Sequence, residues 1–85
     1  MSRLLDPFLN LEMNDSVKNR ILDTIQNSRI NNVESAELTF NVFSLIIYPK
    51  KNEVLISNDV VAEEPEEIFS LDEFYEIVKE YKRNH

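Results

Sequence analysis

Residues Leu38–Tyr48 read LTFNVFSLIIY, and this stretch decides the fold of the 85-residue chain. It is the densest run of apolar, β-branched and aromatic residues in the sequence, and Pro49 ends it. A run that is too short to cross a membrane and rich in strand-forming residues predicts a buried β-strand. We place this strand over residues 36–48 and expect the other elements to pack around it.

The side-chain pattern of this strand changes phase in the middle. Apolar residues alternate from Leu38 to Val42 and again from Phe43 to Ile47, but the second series is displaced by one position. Because strand side chains point alternately to the two faces, the displacement requires either a β-bulge near residues 42–43 or a strand covered on both faces. We favour the second option, since two helix patterns elsewhere in the chain would supply one helix for each face.

Two helices are predicted from capping signals and apolar periodicity. Asn14–Ser16 offers three N-cap residues before an apolar series, which predicts a helix over residues 16–28 with an asparagine-rich exit. Ser70 and Glu73 form a capping box, which predicts a second helix over residues 71–83.

The rest of the chain predicts a second strand and its connections. Residues 53–61 form this strand after a turn at residues 48–53, so the two strands make an antiparallel hairpin. Pro65 favours extended backbone in the acidic connector, residues 62–68. The apolar residues 1–14 predict a short helix or an arm that lies either on the core or on a second copy of the chain.

Together these elements predict one α+β domain over residues 1–85. A small antiparallel sheet based on the hairpin is packed by two main helices in the order α-β-β-α, with a short N-terminal helix as an addition. A hairpin alone leaves two open edges. A further strand from residues 31–35, or edge-to-edge pairing of two copies in a homodimer, would close them.

The composition excludes several classes of function. Cysteine is absent, which excludes disulfides and cysteine-based metal sites and fits a reducing, cytoplasmic compartment. Glycine is absent too, so the chain cannot form a glycine-rich phosphate loop or a dinucleotide-binding fingerprint. We expect no cofactor. We expect no signal peptide, because Asp6 and Pro7 interrupt the apolar residues at the start. We expect no membrane association, because no apolar run reaches the length of a membrane span.

The residue types needed for catalysis and nucleic-acid binding are also scarce. The single histidine, His85, is the last residue, so no histidine-based nucleophile system is expected and we predict a protein that is not an enzyme. The acidic run Glu63–Glu67 lacks the pattern of an EF-hand loop, so we interpret it as a solvated loop and not as a metal site. Nine bases against a net charge of −7 predict no nucleic-acid binding.

The negative charge is concentrated in one region. Residues 1–52 carry six acids and six bases, whereas residues 53–78 carry nine acids and no base. This region is either a solubilising surface or a docking surface for a basic protein. Tyr75 is either an exposed anchor in that surface or a partly buried scaffold residue. The candidate partner-binding residues are Asp59, Glu63, Glu64, Glu66, Glu67, Asp72, Glu73, Tyr75 and Glu76.

The second half of the chain resembles a known class of small acidic proteins. A strand hairpin leads through Val61–Glu67 (VAEEPEE) into Ile68–Phe74 (IFSLDEF). In size, charge and layout, residues 36–83 resemble the immunity proteins of bacterial polymorphic toxin systems, with those of contact-dependent growth inhibition nearest in style. The resemblance implies a cytoplasmic protein that binds one cognate toxin, often a nuclease, and blocks its active site or substrate groove.

We therefore predict a non-catalytic inhibitor, an immunity protein or antitoxin that neutralises a cognate basic toxin, most concretely a nuclease. Its carboxylates would occupy the positions at which a nuclease binds the phosphates of its substrate. Their charge would accelerate the association of inhibitor and toxin. Reversing Glu63, Glu64, Glu66 and Glu67 to lysine is expected to keep the fold and slow association strongly. The alternatives are a phage or mobile-element protein that mimics nucleic-acid charge to occupy a host defence enzyme, and a homo-oligomeric assembly domain whose acids only maintain solubility.

Overall fold

A computed structural model describes residues 4–60 and 65–81 of the chain. These residues form three α-helices and a four-stranded antiparallel sheet, which confirms the predicted α+β class. A short 3₁₀ turn, Pro49–Lys51, joins the second strand to the third. In chain order the elements are α1 (Leu5–Leu11), α2 (Asp15–Ile30), β1 (Ala36–Thr39), β2 (Phe43–Tyr48), β3 (Glu53–Asn58), β4 (Glu67–Ser70) and α3 (Leu71–Glu80).

The stretch that was predicted as one long strand is two strands joined by a hairpin turn. The chain reverses over Phe40–Phe43, where the Phe40 amide donates to the Phe43 carbonyl at 2.8 Å and Thr39 pairs with Ser44. The predicted choice between a bulge and a doubly covered strand is therefore wrong. A reversal of the chain explains the phase change, because it brings Leu38 directly opposite Leu45 on one face.

This turn contains no glycine and is held by side-chain and backbone partners from elsewhere in the chain. Oε2 of Glu12, at the end of α1, accepts hydrogen bonds from the amides of Val42 at 2.7 Å and Phe43 at 3.3 Å. The Asp59 amide donates to the Val42 carbonyl at 2.7 Å. Glu12 is only 7% exposed, so its carboxylate is a buried anchor for two amides that the turn itself does not satisfy.

The fourth strand forms at the end of the acidic connector and not in residues 31–35, which the sequence offers as one of two ways to complete the sheet. Glu67–Ser70 pairs with β3, with Leu55 opposite Ile68 and Val54 opposite Phe69. The sheet is thus a meander in the order β1-β2-β3-β4. Its edge strands have only four residues each, which limits the open edge available to another chain. Homodimerisation stays a prediction.

All three helices pack on the same face of the sheet, so the expected arrangement of one helix on each face is wrong. Side chains of α1, α2 and α3 share one buried cluster with Leu38 of β1, Leu45 of β2 and Ile56 of β3. These three sheet residues are in register across neighbouring strands and therefore point to the same side. The opposite face, which we call the open face, is described with the candidate site.

The helix boundaries follow the capping signals with small differences. The Asn14 side chain accepts the Val17 amide at 2.8 Å and begins α2, and the Ser70 hydroxyl accepts the Glu73 amide at 3.3 Å and begins α3. The helix α3 ends at Glu80, three residues before its predicted end. There Tyr81 turns to extended angles, and its carbonyl accepts a 2.9 Å hydrogen bond from Lys18.

The predicted short N-terminal helix is present as α1 and lies on the core of its own chain. Phe8 is completely buried and contacts the rings of Phe40, Phe43 and Phe74 at centroid distances of 5.5, 5.9 and 6.5 Å. The contacts with Phe40 and Phe43 are edge-to-face, a geometry that adds to the stabilisation from burial alone. One side chain of α1 thus joins the β1–β2 turn to α3.

Candidate partner-binding surface

The acidic residues singled out in the sequence do not form one continuous surface. Glu63 and Glu64 lie outside the described residues. The other acids are distributed over both sides of the sheet, because α3 packs on the helix-covered face while the end of β3 reaches the open face. Three of them also have partners within the fold.

Asp59 lies at the open face, at the end of β3. Its carboxylate accepts a hydrogen bond from the hydroxyl of Ser44, which points to the open face because its neighbours Phe43 and Leu45 point to the core. The Asp59 amide is bonded to Val42 as described above. The residue is exposed but fixed in position, so its negative charge is a permanent feature of this end of the sheet.

Glu67 has a structural role. It lies opposite Ile56 on the helix-covered face, and its Oε1 accepts the Leu4 amide at 2.7 Å. The carboxylate thereby satisfies a free amide at the beginning of α1, where negative charge is favourable. The neighbouring Glu66 is exposed.

Asp72 belongs to a small network that joins α2, α3 and the β2–β3 connection. Its carboxylate contacts the Arg29 guanidinium at 2.7 Å, and its amide donates to Oδ1 of Asn52 at 3.2 Å. The Arg29 guanidinium also donates to the same Asn52 oxygen at 3.2 Å. Both charged groups are well exposed, so the ion pair adds little stability but neutralises Asp72 as a partner contact.

The acids of α3 and Tyr75 occupy different sides of that helix. Glu73 and Glu76 are exposed on its outer side. Tyr75 packs partly buried against the core, and its hydroxyl oxygen accepts a 2.6 Å hydrogen bond from Gln26 of α2. Tyr75 is therefore a partly buried scaffold residue and not an exposed anchor.

Most of the positive charge in the described residues already has a partner. Of the six bases in residues 4–60 and 65–81, five contact a carboxylate, a carbonyl or an aromatic ring. The side-chain carboxylates of Glu66, Glu73 and Glu76 have no hydrogen bond or ion pair to other residues in these two ranges. Residues 4–60 and 65–81 carry 14 acids and six bases, so the outward field of this part of the molecule is negative. The five bases are Lys18, Arg20, Arg29, Lys50 and Lys51.

The open face carries an apolar stripe that sequence reasoning missed. Ile46, Leu55 and Ile68 are directly paired across β2, β3 and β4. None of them belongs to the core cluster or packs against it, and Ile68 is 60% exposed. The alternation of side chains in residues 53–58 and 67–70 could have indicated this stripe. It does so only once the two segments are known to be neighbouring strands. The register assigns to this face Glu37, Thr39, Ser44, Ile46, Tyr48, Glu53, Leu55, Ser57, Ile68 and Ser70.

Other kinds of site have little support in the described part of the chain. It contains no group of three or more histidine, cysteine or acidic side chains that could hold a metal ion. Every buried side-chain nitrogen and oxygen there has a hydrogen-bond partner. Two shallow depressions lie beside α2, one against β1 and one against the β1–β2 turn, and neither brings two carboxylates together. No described helix has the length and apolar character needed to span a bilayer.

Comparison of the chain with protein-family models, with curated proteins and with solved structures gave no match.

Proposed function

We propose that the chain is a non-catalytic protein inhibitor, an immunity protein or antitoxin that binds a cognate basic toxin in the cytoplasm, with a nuclease as the most concrete target. The observation that carries this proposal is the imbalance of exposed charge. Exposed carboxylates such as Glu66, Glu73 and Glu76 have no partner within residues 4–60 and 65–81, whereas five of the six bases there are engaged.

The physical basis of the inhibition is electrostatic substitution. A nuclease binds the phosphates of its substrate with basic side chains, and a rigid protein that presents carboxylates competes for the same groups. A net charge of −7 on a chain of this size accelerates the encounter with such a partner at low ionic strength. The acids then contribute to the rate of association more than to the lifetime of the complex.

The structure sharpens the variant that tests this proposal. Glu67 holds the Leu4 amide, so reversing its charge is expected to destabilise α1, and the test leaves it unchanged. Reversal of Glu63, Glu64 and Glu66 to lysine tests three of the predicted partner-binding acids and leaves the hydrogen bond between Glu67 and Leu4 intact. A control with the same change in net charge reverses Asp23, Glu34 and Glu80, which are exposed and outside the predicted set.

The first experiment is capture of binding proteins on the tagged chain at low and high salt, followed by assays of RNA and DNA cleavage by the retained protein. We expect a basic nuclease that is released by salt and inhibited by the purified chain. The Glu63/Glu64/Glu66 variant should associate about ten- to a hundredfold more slowly at low salt, and the control much less so.

Two outcomes would contradict the proposal. Capture of a large host enzyme would favour the nucleic-acid mimic, and recovery of the chain alone would favour the assembly domain. Unchanged association of the Glu63/Glu64/Glu66 variant at low salt would show that these carboxylates do not guide binding.

A further inference from the structure

The open face of the sheet combines an apolar centre with a negative rim, and no described element covers it. We propose that this face is the docking face, and that its occupant is a protein surface with apolar side chains at its centre and lysine or arginine around them. This inference deepens the proposed function and rests on it, because it names the face and the partner chemistry. It departs from the sequence prediction, which assigned binding to the acidic residues and Tyr75.

The apolar centre is the stripe of Ile46, Leu55 and Ile68. In a sheet that is covered on one side, the second face is ordinarily polar, since it stays in contact with water. Here three large aliphatic side chains stand side by side on three adjacent strands, and their outer end is well exposed. The strands are about 5 Å apart, so the stripe is roughly 10 Å long, which suits a few apolar side chains of a partner.

The rim of this face is acidic on three sides. Glu37 is paired with Ile46 and stands at the β1 end of the stripe. Glu53 lies beside Tyr48 at the hairpin end, and the Asp59 carboxylate lies over Ser44 at the other end of β2. Protein interfaces commonly have an apolar centre and a polar rim, and complementary rim charges select the partner.

The charges also decide between the possible occupants. A second copy of the chain would place the same acidic rim against itself in a two-fold dimer, which is unfavourable. Lys51, which lies over the Tyr48 ring at 5.4 Å beside Glu53, offsets one of these charges and leaves those of Glu37 and Asp59. A partner with charge but no apolar side chains would leave the stripe in water. A basic protein surface with an apolar centre satisfies both features.

The test uses a probe of defined chemistry, a helical peptide with leucine on one side and lysine on the other. Backbone amide shifts in NMR report where it binds to the labelled full-length chain. We expect saturable shifts at Ile46, Leu55 and Ile68, and a loss of binding when the lysines of the peptide are replaced by glutamate. Amide shift changes confined to α3 would show that the peptide does not bind the open face and would overturn the inference.

Matched variants separate the stripe from general apolar exposure. Replacing Ile46, Leu55 and Ile68 together by threonine keeps residues suited to strands and should weaken peptide binding at least about tenfold. The control is Ile30→Gln, which changes an exposed isoleucine at the end of α2 (78% exposed) and should have no effect on binding. Circular dichroism establishes that both variants are folded. Equal binding by the threonine variant and the wild type would overturn the inference.

The captured nuclease then distinguishes the two proposals. If the threonine variant inhibits it as well as the wild type does, the docking face is wrong and the proposed function stands. If no nuclease is inhibited while the peptide still maps to the stripe, the proposed function fails and the docking face stands. A wild-type dimer that the threonine substitutions convert to a monomer would identify a second copy as the occupant and overturn the inferred partner.

Discussion

Glu12 shows how much of this sheet depends on a single side chain. It lies just after α1, and its buried carboxylate reaches the amides of Val42 and Phe43 in the β1–β2 turn. A turn without glycine has less freedom to satisfy its own amides, and an unpaired buried amide is costly. The carboxylate therefore stabilises the turn and also ties α1 to the sheet.

We expect Glu12→Ala to lower the free energy of unfolding by about 2–3 kcal/mol, because it leaves two amides of the turn without their acceptor. Glu12→Gln keeps an acceptor oxygen and should cost less, about 1 kcal/mol. Urea denaturation followed by circular dichroism measures both values. Equal losses for the two variants would mean that the hydrogen bonds are not the source of the stability.

The elements are joined by short connections in which asparagine replaces glycine. Asn32 follows α2 and Asn52 follows the 3₁₀ turn, and both have φ of 55°. Asparagine tolerates this left-handed region better than most residues. At Asn52 the side chain has a second role, since it accepts the Asp72 amide in the first turn of α3.

This difference gives a matched pair of substitutions. Asn32→Gly should change the free energy of unfolding by less than about 0.5 kcal/mol, because glycine adopts the left-handed angles equally well. Asn52→Gly should cost about 1 kcal/mol, because it also removes the acceptor of the Asp72 amide and the Arg29 contact. Thermal denaturation of the two variants in parallel checks this, and equal effects would contradict the role of the Asn52 side chain.

At the scale of the whole molecule, residues 4–60 and 65–81 form one core on one side of one sheet. Residues from every helix, and from β1, β2 and β3, meet in the same buried cluster. A chain of this size buries limited apolar area, so its total stability is expected to be small. The consequence is cooperative behaviour, because no helix has a separate core to keep it folded.

We expect Phe8→Ala to destabilise the whole domain by about 3–5 kcal/mol, since the residue is fully buried among three other aromatic rings. A loss of this size approaches the total stability of a small domain, so the sheet should melt together with α1. Far-ultraviolet circular dichroism measures the loss of helix, and hydrogen exchange of the β2 and β3 amides measures the loss of the sheet. A variant in which α1 is lost while the sheet amides stay protected would contradict the single cooperative core.

Local signals in the sequence determined the helices α2 and α3, their N-caps, the β2–β3 hairpin and the α+β class. These features depend on neighbours within a few residues, so they are legible in one chain. The same holds for the concentration of acids between residues 53 and 78. That these acids bind a partner stays a prediction.

Only the tertiary structure decided the rest. Whether the phase change near Val42 is a bulge or a turn depends on the distant Glu12 and Asp59, and whether residues 67–70 form a strand depends on pairing with β3. The open face exists because all three helices choose the same side of the sheet. These features depend on contacts between residues that are far apart in the chain. The local sequence pattern therefore does not predict them.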